Sequence, residues 1–225
     1  MKIKVVKHVL DKNNKIADAN RCHLTEAGVL GVNFISSPGS GKTTLLEKTI
    51  PALQPEKVSV IVGDLQTARD AQRVADTAVE SVQINTGLSC HLYANQIQTA
   101  LDDMDLSASD YMFIENVGNM VCPGEFDLGE NVKVVLYSLP EGDDKVAKYP
   151  TIFRVADIVL LTKIDLKGLV DFSIERITED LRKLNTKAPL VEISSKTGEN
   201  FDMWLNWLRD KRQSYLGRKA RFVTE

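Results

Sequence analysis

The segment Ser36-Ser37-Pro38-Gly39-Ser40-Gly41-Lys42-Thr43 has the residue types that a phosphate-binding loop requires. Small residues let backbone N–H groups converge on phosphate oxygens, and a helix opening at Lys42 sets its positive end against that charge. In such a loop Lys42 reaches the β- and γ-phosphates and the Thr43 hydroxyl is a Mg2+ ligand, with Pro38, Gly39, Ser40, Gly41 and Thr44 completing the cradle. Ser36 stands where the usual pattern has glycine. Two acidic residues close apolar runs elsewhere, Asp64 after Val62-Gly63 and Glu115 before Asn116-Val117-Gly118. Both are expected at the phosphate end, where Mg2+ and an attacking water must be held. Lys42, Asp64 and Glu115 are the expected catalytic set, with Thr43 and Asp64 on magnesium.

The tetrapeptide Thr162-Lys163-Ile164-Asp165 selects a base. Guanine presents two parallel donors, N1–H and N2–H2, which one carboxylate accepts together. Against adenine the Asp165 carboxylate would be desolvated and unpaired, a large discrimination. The stem of Lys163 can cover the face of the base. Ser194-Ser195-Lys196 follows another apolar run, where a GTPase places a loop whose backbone amides contact the guanine oxygen. The expected substrate is GTP, hydrolysed to GDP and phosphate.

A second chemistry is carried by Cys90-His91 and by Cys122, which lies seven residues after Glu115. Thiolate and imidazole are the donors preferred by Zn2+, Ni2+ and Cu+. Three ligands from one chain leave a site incomplete, and a two-fold dimer could pool ligands from both copies. The chain has 3 cysteines, too few and too odd in number for a disulfide framework. Cys22-His23 repeats the dipeptide within an expected helix far from any other motif, and is read as structural, as is His8. Trp204 and Trp207, three apart on a helix, are read as packing.

These groups need a scaffold that brings strand ends together. From about Gly31 onward, apolar runs alternate with helical periodicity, the pattern of an α/β fold. The expected architecture is a mostly parallel P-loop NTPase sheet with helices on both faces, preceded by a short N-terminal helical segment. Strands are expected at Val32–Ser36, Val58–Val62, Tyr111–Glu115, Val132–Leu139, Ile158–Thr162 and Leu190–Ile193. Helices are expected at Asp11–Glu26, Lys42–Ile50, Thr67–Thr77, His91–Met104, Ser173–Leu184 and Phe201–Asp210. The division expected is an N-terminal strand/helix extension (1–30), a GTPase domain (31–212) and a basic, poorly ordered C-terminal tail (213–225). The net charge of −3 argues against general binding to nucleic acid or an anionic membrane. With no signal peptide and no run of membrane-spanning length, the expected location is the cytoplasm.

From about Asp11 to Trp207 the sequence resembles the hydrogenase nickel-incorporation GTPases, maturation factors of nickel–iron hydrogenases in the SIMIBI class of P-loop GTPases. The resemblance is carried by Ser36–Thr43, Gly63-Asp64-Leu65-Gln66-Thr67, Ile84–Leu92, Ile114–Pro123, Phe126-Asp127-Leu128-Gly129-Glu130 and Glu141-Gly142-Asp143-Asp144-Lys145. Lys148-Tyr149-Pro150 and Trp204–Leu208 add to it. It implies a homodimer promoted by GTP, with Cys90, His91 and Cys122 lining a nickel site, or a zinc site, at the dimer interface. It also implies that Lys145 reaches the nucleotide across that interface. Partners implied are a nickel-binding maturation protein and the hydrogenase large subunit. Alternatives are a maturation GTPase for another nickel enzyme such as urease, or a metal-binding scaffold with degenerate GTPase activity. The sequence carries neither the N-terminal cysteine-rich motif nor the histidine tract of some members, which leaves the domain site as the expected one. Tyr93 stands where the family usually has an acidic residue, and Leu139-Pro140 and Val146 also depart from its pattern.

Overall fold

The computed structural model describes the backbone of residues 5–64 and 69–223, and the side chains of residues 10–64 and 72–217. An N-terminal helix, α1 (Val5–Ala27), is followed by β1 (Leu30–Ser36), α2 (Lys42–Ala52), β2 (Val58–Asp64), α3 (Arg69–Ala75) and β3 (Ser81–Asn85). Next come α4 (Ala94–Asp102), β4 (Tyr111–Glu115), β5 (Val132–Ser138) and two short helices, α5 (Lys145–Lys148) and α6 (Pro150–Val155). The chain ends with β6 (Ile158–Thr162), α7 (Ile174–Leu184), β7 (Leu190–Ile193) and α8 (Phe201–Val223).

The strands form one seven-stranded sheet in the order β3-β2-β4-β1-β5-β6-β7, and every neighbouring pair is parallel. All strands therefore finish at one edge, so the loops after Ser36, Asp64, Glu115, Ser138, Thr162 and Ile193 share a rim. That rim, beside the central strand where the strand order reverses, is where α/β sheets bind ligands.

Alternation along each strand sends side chains to two cores. Val32, Phe34 and Phe113 pack with Leu45 and Leu46 of α2 and Trp204 and Leu208 of α8. On the opposite face Ile35, Val135 and Tyr137 meet Phe153 and Leu181, while Ile61, Met112 and Ile114 meet Leu24, Leu92, Ile97 and Leu101. Burial of each such side chain is worth about 1.5–3 kcal/mol. Trp204 is fully buried and its indole N–H donates to the Thr49 hydroxyl at 2.9 Å. Trp207 stacks on it with ring centroids 5.8 Å apart, so the tryptophan pair is indeed packing.

Several boundaries differ from the sequence expectation. Strand β3 was not expected: it is short, polar in part and half-exposed at the sheet edge, so it lacks the apolar run that marks a doubly covered strand. The helix expected over His91–Met104 begins only at Ala94, because Tyr93 takes an extended conformation as its N-cap and donates its N–H to Gln96 Oε1 at 2.9 Å. Cys90 and His91 are thus loop residues. The strand expected to reach Leu139 stops at Ser138, where Leu139–Glu141 forms a 3-10 turn. The stretch expected as Thr67–Thr77 is helical over Arg69–Ala75, and Leu65, Gln66 and Thr67 lie outside the described residues.

At the C-terminus α8 runs to Val223 rather than stopping at Asp210. Tyr215 is buried and its hydroxyl donates to that of Thr25 at 3.0 Å, tying α8 to α1. Cys22 and His23 lie on the solvent side of α1, away from any ligand cluster. The side chain of His8 lies outside the described residues.

Candidate functional site

The turn between β1 and α2 is built on two left-handed glycines, Gly39 at φ 77° and Gly41 at φ 97°, conformations in which a β-carbon is costly. Space is open where either β-carbon would stand. Inside the turn the Lys42 ammonium donates to the Ser36 hydroxyl at 3.0 Å, and that hydroxyl donates to the Ser37 carbonyl at 2.7 Å. The serine that departs from the usual glycine therefore holds the lysine. The Thr43 hydroxyl donates to Glu115 Oε1 at 2.6 Å, joining two residues 72 apart in sequence. Lys42, Thr43, Asp64 and Glu115 all line one cavity of about 370 Å3, with Pro38, Gly39, Gly41 and Thr44 at its rim. A lysine, a hydroxyl, two carboxylates and a glycine turn at a helix N-terminus can take a polyphosphate together with a hard, oxygen-preferring cation.

Two residues of this region were assigned no role from the sequence. Arg73 of α3 lines the same cavity and pairs with Glu47 at 2.7 Å. Glu141 backs the loop: its Oε1 accepts from the Ser40 hydroxyl at 2.7 Å and from the Ser138 N–H at 2.9 Å.

The expected base-binding residues adjoin the loop. The Thr162 hydroxyl donates to the Ser40 carbonyl at 2.8 Å. Lys163, at φ 61°, lays its side chain toward the loop and donates to the Gly39 carbonyl at 2.6 Å. Asp165 Oδ1 accepts from the Ser194 hydroxyl at 2.7 Å, which in turn accepts the N–H groups of Lys196 and Thr197. The Lys196 ammonium stands 3.9 Å from Asp165 Oδ2. Ser194 thus orients the carboxylate, and Ser195 is the next residue of the same loop. Lys145 is not brought to this group within one chain; it opens α5 with its ammonium 5.6 Å from the Tyr149 ring centre.

Cys90, His91 and Cys122 converge from the loops before α4 and after β4, their ligand atoms all within 4.8 Å of one another. The two sulfurs are 3.1 Å apart, far beyond the ~2.05 Å of a disulfide, so both are thiols. Cys90 Sγ lies 3.6 Å from His91 Nδ1. The hydrogen bond to Cys90, aided by burial, raises the Cys122 thiol pKa. A metal ion bound by both sulfurs as thiolates would replace both thiol protons. Among the described residues this is the group of three that could hold a metal ion.

The imidazole of His91 is held by aromatic rings. Phe126 stacks on it at 4.1 Å and Tyr93 closes the other side at 4.3 Å, leaving it 6% exposed. Its Nε2 is buried without a hydrogen-bond partner. Burial lowers its pKa, against the opposing charge of Glu125, which favours the neutral ring that metals bind. Tyr93, the departure from an acidic residue, is therefore one wall of the slot.

Helix α1 fixes the surroundings. Asn13, Ala17, Asn20 and Leu24 form its buried stripe, and the two asparagines serve loops. Asn20 Nδ2 donates to the carbonyls of Ala94 and Leu128 at 2.8 and 2.9 Å. Asn13 accepts the Ala94 N–H at 2.9 Å and donates to the Asp127 carbonyl at 2.7 Å. The start of α4 and the stretch after Phe126 are thereby clamped together. Beneath them Glu130 is fully enclosed and accepts from Asn33, from the Leu128 N–H and from Lys133. Burial alone would raise its pKa, but Lys133 and the Asn33 amide outweigh it and hold the carboxyl down to about 2.

Residues 31–192 match the family described as CobW/HypB/UreG, nucleotide-binding domain. The hydrogenase maturation factor HypB of Escherichia coli (strain K12) is 45% identical over 205 residues, covering 91% of this chain and 71% of that protein. The hydrogenase/urease maturation factor HypB of Helicobacter pylori (strain ATCC 700392 / 26695) is 43% identical over 216 residues, 94% of this chain and 88% of that one. Among solved structures, HypB from Helicobacter pylori in complex with nickel superposes with a TM-score of 0.86 at 42% identity, covering 90% of this chain and 96% of that one. HypB from Archaeoglobus fulgidus gives 0.84 at 40% identity, covering 90% and 100%.

Proposed function

The chain belongs to the CobW/HypB/UreG nucleotide-binding family, and from that premise we propose that it is a GTP-hydrolysing metallochaperone that carries nickel to a nickel–iron hydrogenase. The observation that carries this reading is the cluster of Cys90, His91 and Cys122, whose last member stands on the segment that begins with Glu115 in the loop-side cavity.

In this mechanism the N–H groups of Pro38–Thr44 and the Lys42 ammonium hold the phosphates of GTP. Lys163 and Asp165 take the guanine, with Ser194, Ser195 and Lys196 shaping its pocket. The oxygen donors that crowd the cavity, the Thr43 hydroxyl and the carboxylates of Asp64 and Glu115, fit Mg2+. Bound there, Mg2+ would supply charge neutralisation for the phosphates. Glu115 and Asp64 position the water that attacks the γ-phosphorus; its bond to the β–γ bridging oxygen breaks, giving GDP and phosphate. Lys145, at the start of α5 and apart from the cavity of its own chain, reaches the nucleotide of a second copy.

Nickel is the cargo. Cys90 and Cys122 bind it as thiolates and His91 as a neutral imidazole, and the exposed side of the site admits a second copy or a recipient. GTP closes a homodimer and re-arranges Cys122 against Cys90 and His91; hydrolysis resets the arrangement. The site suits zinc as well. A nickel-binding maturation partner and the hydrogenase large subunit are the proteins on either side of this transfer, and free thiols suit the cytoplasm. A second recipient, urease, is favoured by relatives described as hydrogenase/urease maturation factors.

The test is a nickel titration of the protein loaded in parallel with GDP and with a non-hydrolysable GTP analogue, following thiolate-to-metal absorbance and molecular mass together. The expected result is a dimer in the analogue-bound form with altered nickel affinity or spectrum. Identical binding and mass in the two forms would refute the reading.

A further inference from the structure

Residues 115 to 118 line the cavity, and Asn116 and Asn119 also reach the loop of Cys90. Toward the cavity, Glu115 accepts from the Thr43 hydroxyl at 2.6 Å. Gly118 lies so close to the phosphate-side turn that a β-carbon on it would stand 3.0 Å from the Cα, Cγ and N of Pro38. In the other direction, Asn116 Oδ1 accepts the Leu92 N–H at 3.3 Å and the Val117 N–H at 2.9 Å. Asn119 Nδ2 donates to the Cys90 carbonyl at 3.2 Å while its Oδ1 accepts the Val121 N–H at 2.9 Å. One short segment thus touches the nucleotide pocket at 115 and 118, and the loop carrying two metal ligands at 116 and 119.

The two asparagines differ in how firmly they are held. Asn116 is 1% exposed and its Nδ2 donates to Asn33 Oδ1 at 3.3 Å; Asn33 in turn is bound to the enclosed Glu130. It is a fixed point on the central strands. Asn119 is half-buried, one residue beyond the glycine pressed on Pro38. A shift of the turn is transmitted to Gly118 sterically and to Asn119 covalently, and the Asn119 amide passes it to the Cys90 carbonyl.

We propose that Asn119 and Asn116 are positioning residues that couple the nucleotide pocket to Cys90 and His91, Asn119 as the moving arm and Asn116 as its pivot. Cys122 follows the segment through the chain itself; without the amides, Cys90 and His91 would not follow it. The inference rests on the nucleotide-gated nickel reading above and adds the side chains that do the gating.

The test uses the full chain and nickel alone, with affinity read by competition against a chromophoric chelator in the GDP form and in the form bound to a non-hydrolysable GTP analogue. For the unaltered protein the ratio of the two affinities is expected to differ from one by on the order of tenfold. Asn119→Ala removes both hydrogen bonds of the arm. Asn119→Asp keeps the acceptor for the Val121 N–H, loses the amide donor to Cys90 and adds a negative charge. Both variants are expected to bring the ratio to within about twofold of one, a readout that a uniform loss of metal affinity would not produce. By reciprocity, nickel should then also cease to alter affinity for the GTP analogue. If the unaltered protein shows the ratio and both variants retain it, the inference is overturned while the proposed function stands. A ratio of one in the unaltered protein overturns the proposed function and the inference together.

Discussion

Ser194 holds Asp165 by one oxygen at 2.7 Å, and so sets the carboxylate before any base arrives. Pre-orientation of this kind makes a buried acceptor pair discriminating, because a base without two parallel donors leaves it unpaired. Asp165→Ala is expected to lower GTP affinity by about 10²-fold or more and to erase the preference over ATP. Titration with fluorescent GTP and ATP analogues checks this, and equal affinities for the two in the unaltered protein would count against the guanine reading. At this scale the sequence was legible where one residue type carries the chemistry: Lys42, Thr43, Asp64 and Glu115 do meet in one cavity. It was not legible for Ser36, which looks like a defect in the glycine pattern yet holds Lys42 at 3.0 Å. Nor did it assign a role to Phe126, whose packing against His91 depends on a contact across 35 residues.

Helix α1 works through polar side chains on its buried face. Asparagines at two positions of an inward stripe read as interruptions in a hydrophobic period, so the pattern that located the helix concealed its task. Asn20 spans two carbonyls, one at the start of α4 and one beside the Phe126 stretch, and is 2% exposed. Asn20→Ala would leave both carbonyls without their donor. It is expected to cost about 1–3 kcal/mol of stability in urea unfolding and to weaken nickel binding, since both ring walls of His91 hang from those segments. Unchanged nickel affinity in a destabilised variant would limit α1 to a role in folding. The other element-level departures have local causes: edge strand β3 is too polar to announce itself, and α4 starts late because Tyr93 caps it.

For the whole molecule, the proposed dimer would use two features of the single chain, Lys145 outside the cavity and the exposed Cys90. Hydrolysis that needs Lys145 from a partner depends on protein concentration. GTP turnover per chain is therefore expected to rise with concentration through the dimerisation range and then level off, with Lys145→Ala abolishing the rise. A rate per chain independent of concentration would exclude the cross-dimer lysine. The sequence by itself determined the parallel α/β architecture, the glycine turn before α2 and the place of the Thr162–Asp165 tetrapeptide. Each of these is a contiguous run whose hydrogen-bonding geometry is local, placed at the end of an apolar strand that pairing carries to the common rim. The sequence favoured Cys90-His91 over Cys22-His23 by its neighbouring motifs, and only the tertiary structure decided how closely that dipeptide meets Cys122. Cys22-His23 and Cys90-His91 are the same letters, but β3 and β4 run parallel with only β2 between them, and the loops beyond them bring Cys90 to within 3.1 Å of a cysteine 32 residues away. Helix α1 turns Cys22 to solvent. That closeness belongs to strand order and packing, which no local spacing encodes.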